Sequence, residues 1–168
     1  APASAAELPY LAQQAVETLA RQASANHVTV VVGPLPEVSV PANLYQVLVN
    51  LIKNAIDAQP QGGAVRLDGQ VEKGHLALEV ADTGPGVPED DLAHIFEPFF
   101  TRKDVGLGTG LGLAVCKELV ARMDGVILAR NQADCGCEFL VRIPVGEGSP
   151  GAAVGAAGAA NLLPGALR

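Results

Sequence analysis

Three stretches of the chain carry apolar residues at the i, i+3, i+4 spacing of amphipathic helices. They cover residues 7–24, 44–58 and 110–123, so the pattern predicts three helices. The middle stretch has the most regular pattern, because its apolar positions fall on one face. Those positions are Leu44, Val47, Leu48, Leu51, Ile52, Ala55 and Ile56.

Further segments have the composition or the alternation of strands. A β-branched run ends at Gly33-Pro34, and two alternating segments flank Lys73-Gly74, which predicts an antiparallel hairpin. The apolar residues that this hairpin would bury are Val65, Leu67, Val71, Leu76, Leu78 and Val80. The other predicted strands cover residues 28–32, 126–130 and 138–143.

Two segments between these elements lack a helical or strand period. Residues 36–41 lie between two prolines and are predicted to be a connector. Residues 87–109 are predicted to be irregular, with at most a short helix at 89–94. Irregular segments of this length are uncommon in compact domains and usually functional.

Composition limits the classes of protein to consider. The chain has 168 residues, 49% of them hydrophobic, which suits one domain, predicted to cover residues 1–145. Residues 146–168 are rich in Gly and Ala and are predicted to be a disordered or linker tail. The net charge of −7 argues against nonspecific nucleic-acid binding, and no apolar run is long enough for a membrane span. Three cysteines without a disulfide pattern predict a reducing compartment.

The polar face of the middle helix is the first candidate for chemistry. Asn and Asp form helices poorly, yet this face carries them in mid-helix. A merely solvated face is the alternative interpretation. The sharper hypothesis is that amide and carboxylate oxygens here face a cation or a phosphate chain, and such oxygens suit Mg²⁺. The residues of this face are Gln46, Asn50, Lys53, Asn54 and Asp57.

Two glycine-rich segments are further candidates. Asp82 ends a predicted strand and begins D-T-G-P-G, where its carboxylate could accept a hydrogen bond from an exocyclic amine such as that of adenine. A plain tight turn would have the same sequence, so this motif alone is weak. The segment G-L-G-T-G-L-G at residues 106–112 begins the third helix. Its exposed amides and the helix N-terminus favour an anion.

A third segment, residues 95–103, has the sequence I-F-E-P-F-F-T-R-K. Its three phenylalanines, Phe96, Phe99 and Phe100, predict an apolar anchor for one end of a loop. Beside them, Lys103 could reach phosphate oxygens.

In this order and spacing, N-L-I-K-N-A-I-D-A from residue 50, D-T-G-P-G, I-F-E-P-F-F-T-R-K and G-L-G-T-G-L-G-L-A resemble one known domain. It is the catalytic and ATP-binding domain of bacterial two-component sensor histidine kinases, of the Bergerat or GHKL type found also in gyrase, Hsp90 and MutL. The resemblance covers roughly residues 7–145. It implies an α+β fold, a two-layer α/β sandwich. Its mixed, mostly antiparallel sheet would have about five strands, with about three helices on one face.

The resemblance also implies a site for ATP and Mg²⁺, with Asn54 as the metal ligand and Asn50, Asn54 and Lys103 as catalytic residues. Asn50 stands where related ATPases have a Glu that activates water, and an amide cannot act as a base, which favours phosphotransfer over hydrolysis. Residues 96–108 would form a lid over the nucleotide. The implied nucleotide-binding residues are Asn50, Lys53, Asn54, Asp57, Asp82, Gly84, Gly86, Val87, Phe100, Thr101, Lys103, Gly106, Gly108, Thr109, Gly110, Leu111 and Gly112.

The implied partners are the dimerisation domain that carries the phosphoaccepting histidine and the receiver domain of a response regulator. We expect His27, His75 and His94 to be surface residues and not acceptors, so this chain would be the catalytic part of a larger sensor. It would be cytoplasmic, monomeric when isolated, and without nucleic-acid or membrane contact. The alternatives are a nucleotide-dependent docking module without turnover and a gyrase- or Hsp90-like ATPase.

Overall fold

A computed structural model describes residues 4–100 and 110–146. The strands in this part of the chain are β1 (Ala5–Glu7), β2 (Val28–Val32), β3 (Ser39–Pro41), β4 (Gly63–Glu72), β5 (His75–Asp82), β6 (Val126–Asn131) and β7 (Cys137–Pro144). The helices are α1 (Leu8–Thr18), α2 (Ala20–Ala25), α3 (Leu44–Asp57), α4 (Glu89–Leu92) and α5 (Gly112–Arg122).

The main sheet has five strands in the order β2-β4-β5-β7-β6. Only β2 and β4 pair in parallel, while the other three pairings in this sheet are antiparallel. The predicted hairpin is β4 and β5, with Glu72 opposite His75. Lys73 and Gly74 both have positive φ, 51° and 76°, as a two-residue hairpin turn of the favoured hand requires. The mixed, mostly antiparallel sheet of the predicted α+β fold is therefore confirmed.

One face of this sheet packs against the helices and forms the core. Leu67 on β4, Leu78 on β5 and Val141 on β7 lie on this face and are buried. The seven apolar positions of α3 are buried too, as predicted. Each buried Leu, Ile or Val side chain contributes about 1.5–3 kcal/mol on burial, so this face fixes where α3 lies. Its polar face is consequently turned away from the sheet.

The opposite face of the sheet is largely polar. Asp68 on β4, Glu79 on β5 and Glu138 on β7 lie on it, and Arg130 on β6 donates a hydrogen bond to Glu138. Burial, followed by a hydrogen bond with Glu138 that stabilises the protonated form of Glu79, raises the pKa of Glu79 to about 7. The charges of Glu138 and Asp68 raise it further, and that of Arg130 lowers it. This face therefore carries a carboxyl group that titrates near neutral pH.

The amino-terminal part differs from the prediction in two ways. The helix predicted for residues 7–24 is divided into α1 and α2 at Leu19, whose φ and ψ are −100° and 5°. Leu19 stays buried, so the apolar pattern does not record the break. The predicted connector at residues 36–41 contains β3, which pairs antiparallel with β1. Strands of three residues are too short for alternation to show.

Residues 147–168 lie outside the described part of the chain, so the predicted tail stays a prediction. Among the helices at residues 4–100 and 110–146, none combines the length and the apolar character needed to cross a bilayer.

Candidate functional site

The polar face of α3 is joined directly to the first turn of α5. Asn50 accepts a hydrogen bond from Gln46 (2.9 Å) and donates one to the carbonyl oxygen of Gly112 (3.2 Å). Gly112 is the first residue of α5. Two segments that the sequence singled out separately therefore meet in space.

One helical turn after Asn50, Asn54 lies on the same face of α3 and is partly buried. Within residues 4–100 and 110–146, no hydrogen bond engages its side chain. Its amide oxygen therefore has no hydrogen-bond donor among these residues, and it is the kind of hard oxygen ligand that Mg²⁺ accepts. Mg²⁺ commonly takes one or two protein ligands beside phosphate oxygens and water, so this position fits the ion.

Lys53 and Asp57, also predicted to bind the nucleotide, are paired with each other. Lys53 Nζ lies 2.9 Å from Asp57 Oδ2, and Gln22 of α2 donates a hydrogen bond to Asp57 Oδ1. An exposed ion pair of this kind contributes little to stability. The hydrogen bond from Gln22 to Asp57 does join α2 to the end of α3.

The start of α5 offers amides that no helical carbonyl uses. The first hydrogen bond of the helix runs from the Val115 N–H to the Leu111 carbonyl. The N–H groups of Gly112 and of the two residues after it therefore have no carbonyl partner within the helix. Leu111 is exposed at the N-cap position. Such a helix N-terminus favours a negatively charged group.

Gly110, two residues before the start of α5, packs on the backbone of Phe99. Its carbonyl accepts a hydrogen bond from the Phe99 N–H (2.9 Å), and its φ is 72°. A Cβ at this position would lie 2.5 Å from the carbonyl carbon of Phe99. Only glycine fits here, which explains this member of the glycine-rich segment.

Asp82 is 4% exposed at the end of β5. Its Oδ1 accepts hydrogen bonds from the N–H groups of Gly84 (2.9 Å) and Cys137 (3.2 Å). Burial raises the pKa of its carboxyl group, and these two hydrogen bonds lower it. Among the described residues, no donor contacts Oδ2, so this oxygen can accept a hydrogen bond from a ligand.

The glycines after Asp82 bring the chain close to its neighbours. A Cβ on Gly84 would lie 3.1 Å from Cγ of Gln59, and Gly86 has a φ of 81°. The next residue, Val87, is partly buried and packs against the core. The segment at residues 82–87 thus forms a loop of small residues beside the Asp82 carboxylate.

Sequence reasoning missed three residues that hold this loop. Gln59, 3% exposed after the end of α3, accepts a hydrogen bond from the Thr83 hydroxyl (2.7 Å). Asn131 bonds both backbone groups of Val87, and Gln132 donates to the carbonyl oxygen of Asp82. Only their position as a polar pair directly after the strand predicted at residues 126–130 could have drawn attention to Asn131 and Gln132.

The three phenylalanines do not act together as predicted. Phe96 packs edge-on against Phe139, with ring centroids 6.2 Å apart, and Phe100 stacks on His94 at 6.0 Å. Phe99 is 72% exposed, so its predicted part in an apolar anchor is wrong. Its φ of 68° turns the backbone so that its N–H reaches Gly110 while its side chain points outward.

Part of the predicted site lies outside the described residues. These positions are Thr101, Lys103, Gly106, Gly108 and Thr109. Of the predicted lid, the structure describes only residues 96–100.

This chain matches a known protein family and several known proteins of related sequence. The family model described as "Histidine kinase-, DNA gyrase B-, and HSP90-like ATPase" matches residues 39–147, more than half of the chain. The sensor histidine kinase RcsC of Escherichia coli strain K12 is 40% identical over 115 residues, 62% of this chain. Sporulation kinase C of Bacillus subtilis is 37% identical over 102 residues, 61% of this chain. The chain spans only 11% and 23% of the lengths of these two proteins.

Solved structures agree with the sequence relatives. The full-length kinase ShkA in complex with AMPPNP superimposes with a TM-score of 0.76 at 30% identity, covering 89% of this chain and 33% of ShkA. The mycobacterial sensor histidine kinase MprB gives a TM-score of 0.74 at 25% identity, covering 88% of this chain and 99% of that structure.

Proposed function

Because this chain belongs to the family of histidine kinase-, DNA gyrase B- and HSP90-like ATPases, as the catalytic and ATP-binding domain of a two-component sensor histidine kinase, we propose that it binds ATP with Mg²⁺ and transfers the γ-phosphate to a histidine. The histidine would belong to the dimerisation and phosphoacceptor domain of the same sensor. Nothing in phosphoryl transfer requires a covalent enzyme intermediate, so the work of this domain would be positioning and neutralisation of charge.

The observation that carries the proposal is the hydrogen bond from Asn50 to Gly112. It fixes the polar face of α3 beside the amino-terminal amides of α5. Asn54, whose amide oxygen has no hydrogen bond within the described part of the chain, would hold Mg²⁺ there, and the amides at Gly112 would meet phosphate oxygens. Mg²⁺ would supply neutralisation of the phosphate charge, while Lys103 would add a cation from outside the described residues.

The base would lie at the other end of the site. The Oδ2 atom of Asp82 would accept a hydrogen bond from the exocyclic amine of adenine, while Oδ1 stays bound to Gly84 and Cys137. An ionised carboxylate has no donor, so it would disfavour the carbonyl that guanine has at the equivalent position.

Asn50 favours phosphotransfer over hydrolysis. Its amide cannot remove a proton from water, and it is already engaged by Gln46 and Gly112. This supports a kinase domain over a gyrase- or Hsp90-like ATPase. A receiver domain would take the phosphate in a second step, and a domain that uses ATP in this way would lie in the cytoplasm.

The test combines this chain with the two-helix phosphoacceptor segment of its sensor. With radiolabelled ATP and Mg²⁺, acid-labile phosphate should appear on the acceptor, and none should appear with Asn54→Ala. Nucleotide binding without transfer would favour the docking module instead. Release of free phosphate without a labelled acceptor would favour a hydrolysing ATPase.

A further inference from the structure

The turn between β6 and β7 lies directly on the loop at residues 82–87. Asn131, the last residue of β6, donates from Nδ2 to the Val87 carbonyl oxygen (2.6 Å) and accepts from the Val87 N–H at Oδ1 (2.8 Å). One side chain thus satisfies both backbone groups of a residue 44 positions away. Only one orientation of the Asn amide allows both bonds, so donor and acceptor are assigned unambiguously.

The next residue holds the other end of the same loop. Gln132 donates from Nε2 to the carbonyl oxygen of Asp82 (2.8 Å), while its N–H closes the turn on the Gly136 carbonyl (2.9 Å). Two consecutive side chains therefore bond the first and the last residue of the loop.

Steric contact between the turn and the loop is equally close. A Cβ at Gly136 would lie 1.9 Å from the carbonyl oxygen of Asp82, and one at Gly86 would lie 2.7 Å from Oδ1 of Asn131. Both glycines have positive φ. The two segments could not approach each other in this way with larger residues at either position.

A small number of hydrogen bonds hold the loop in place. It contains two glycines and a proline between Asp82 and Val87, and glycine gives the backbone many alternative conformations. On its inner side, Thr83 bonds Gln59. Thr83 also bonds Ala64, and Oδ1 of Asp82 accepts from Gly84 and Cys137. Asn131 and Gln132 supply the side-chain hydrogen bonds to the backbone of Val87 and Asp82.

Resting on the proposed function, we infer that Asn131 and Gln132 are positioning residues for recognition of the nucleotide base: they hold the backbone of residues 82–87 so that the Asp82 carboxylate and Val87 meet adenine in a fixed geometry. Neither side chain needs to touch the nucleotide. Their loss should therefore impair recognition of the base while leaving the phosphate end at Asn54 and Gly112 intact.

Asn131→Asp is the sharpest variant, because it preserves shape. The carboxylate keeps an acceptor for the Val87 N–H but replaces the donor with an oxygen that faces the Val87 carbonyl. Asn26→Asp is the matched control, since Asn26 donates a single bond to the Ile56 carbonyl (3.1 Å) and has no contact with the loop.

The experiment measures dissociation constants for Mg-AMPPNP and Mg-GMPPNP by calorimetry, together with thermal unfolding of each variant. We expect Asn131→Asp to bind Mg-AMPPNP at least tenfold more weakly and to lose most of the preference for adenine over guanine. With the acceptor segment present, KM for ATP should rise while kcat changes little. Asn26→Asp should match the wild type in affinity, base preference and KM, although the loss of its bond to the Ile56 carbonyl should lower its unfolding temperature.

A folded Asn131→Asp variant with wild-type affinity and base preference would overturn the inference. If that variant does not fold, Gln132→Ala carries the same test, because it removes only the donor to the Asp82 carbonyl. An unchanged base preference in Gln132→Ala would then count against the inference. Wild-type protein that binds neither nucleotide would instead overturn the proposed function, and this inference with it.

Discussion

The side chain of Asn50 donates a hydrogen bond to the carbonyl oxygen of Gly112, 3.2 Å away and 62 positions further along the chain. The bond joins the polar face of α3 to the N-terminus of α5. A displacement of one helix would therefore also displace the polar groups of the other. Because the carbonyl of Gly112 is used, only its N–H remains for a ligand.

The first prediction concerns Asn54. Asn54→Ala should abolish the Mg²⁺-dependent part of ATP affinity and leave the fold intact, because this partly buried side chain has no hydrogen bond within the described residues to lose. Calorimetric titration with AMPPNP, with and without Mg²⁺, measures the effect. Asn43→Ala, an exposed position just before α3, is the control. Unchanged Mg²⁺ dependence in Asn54→Ala would remove Asn54 from the metal site.

The second prediction concerns Asp82. Asp82→Asn is isosteric and can still accept hydrogen bonds from Gly84 and Cys137, so the protein should fold. Its second position now carries an amide that donates where adenine also donates, so affinity for ATP and discrimination against GTP should both fall. Competition binding of the two nucleotides measures this. Asp68→Asn, on the polar face of the sheet, should leave the ratio unchanged, and an equal ratio in Asp82→Asn would show that Asp82 does not recognise the base.

The third prediction concerns pH and stability. The pKa of Glu79 is raised from 4.5 in the unfolded chain to about 7 in the folded protein, mainly by burial. Between these values the folded protein keeps a proton that the unfolded chain has released. This contribution to the free energy of unfolding is fully present below pH 4.5 and is lost as pH rises through about 7. The raised pKa of Asp82 acts with the same sign.

Thermal unfolding between pH 5 and pH 8 checks this, since Tm should fall across roughly that range as Glu79 ionises. Glu79→Gln keeps the shape and removes the titrating group, so its Tm should depend less on pH. A profile identical to that of the wild type would mean that Glu79 is not responsible.

The fourth prediction concerns Gly110. Gly110→Ala must place a Cβ 2.5 Å from the Phe99 carbonyl carbon at a φ of 72°, which forces the start of α5 to move. We expect a loss of about 1–2 kcal/mol in stability from the left-handed backbone alone, and weaker binding of Mg-AMPPNP. Gly146→Ala is the control, because nothing lies within 4 Å of a Cβ there. Equal stability of the two variants would show that the close contact with Phe99 is dispensable.

The elements of the fold were predictable because their signals are local. In α3 the spacing of apolar residues alone determines which face is buried, so its polar face could be identified from sequence. The β4–β5 hairpin was equally clear, since its turn residues and alternating strands lie within one short segment.

The supports of the site were not predictable, because their partners are distant in sequence. Gln59 meets Thr83 across 24 positions, and Gln132 meets Asp82 across 50. Such pairs depend on the strand register, which no local pattern determines. Phe99 shows the converse error: an aromatic residue was expected inside, but a backbone turn places it outside.

The parallel pairing of β2 with β4 makes α3 the crossover connection between two strands of one sheet. Crossovers of this kind are right-handed in nearly all proteins, so handedness determines which side of the sheet α3 covers. Every residue assigned to the site follows Ala42, and the family match begins at residue 39, after β2 has ended. A chain shortened to begin after Val32 would keep all its proposed ligand-binding residues but lose the strand from which the crossover starts. The residues proposed to bind the ligand and the strand that determines which side of the sheet carries them thus lie in separate parts of the sequence.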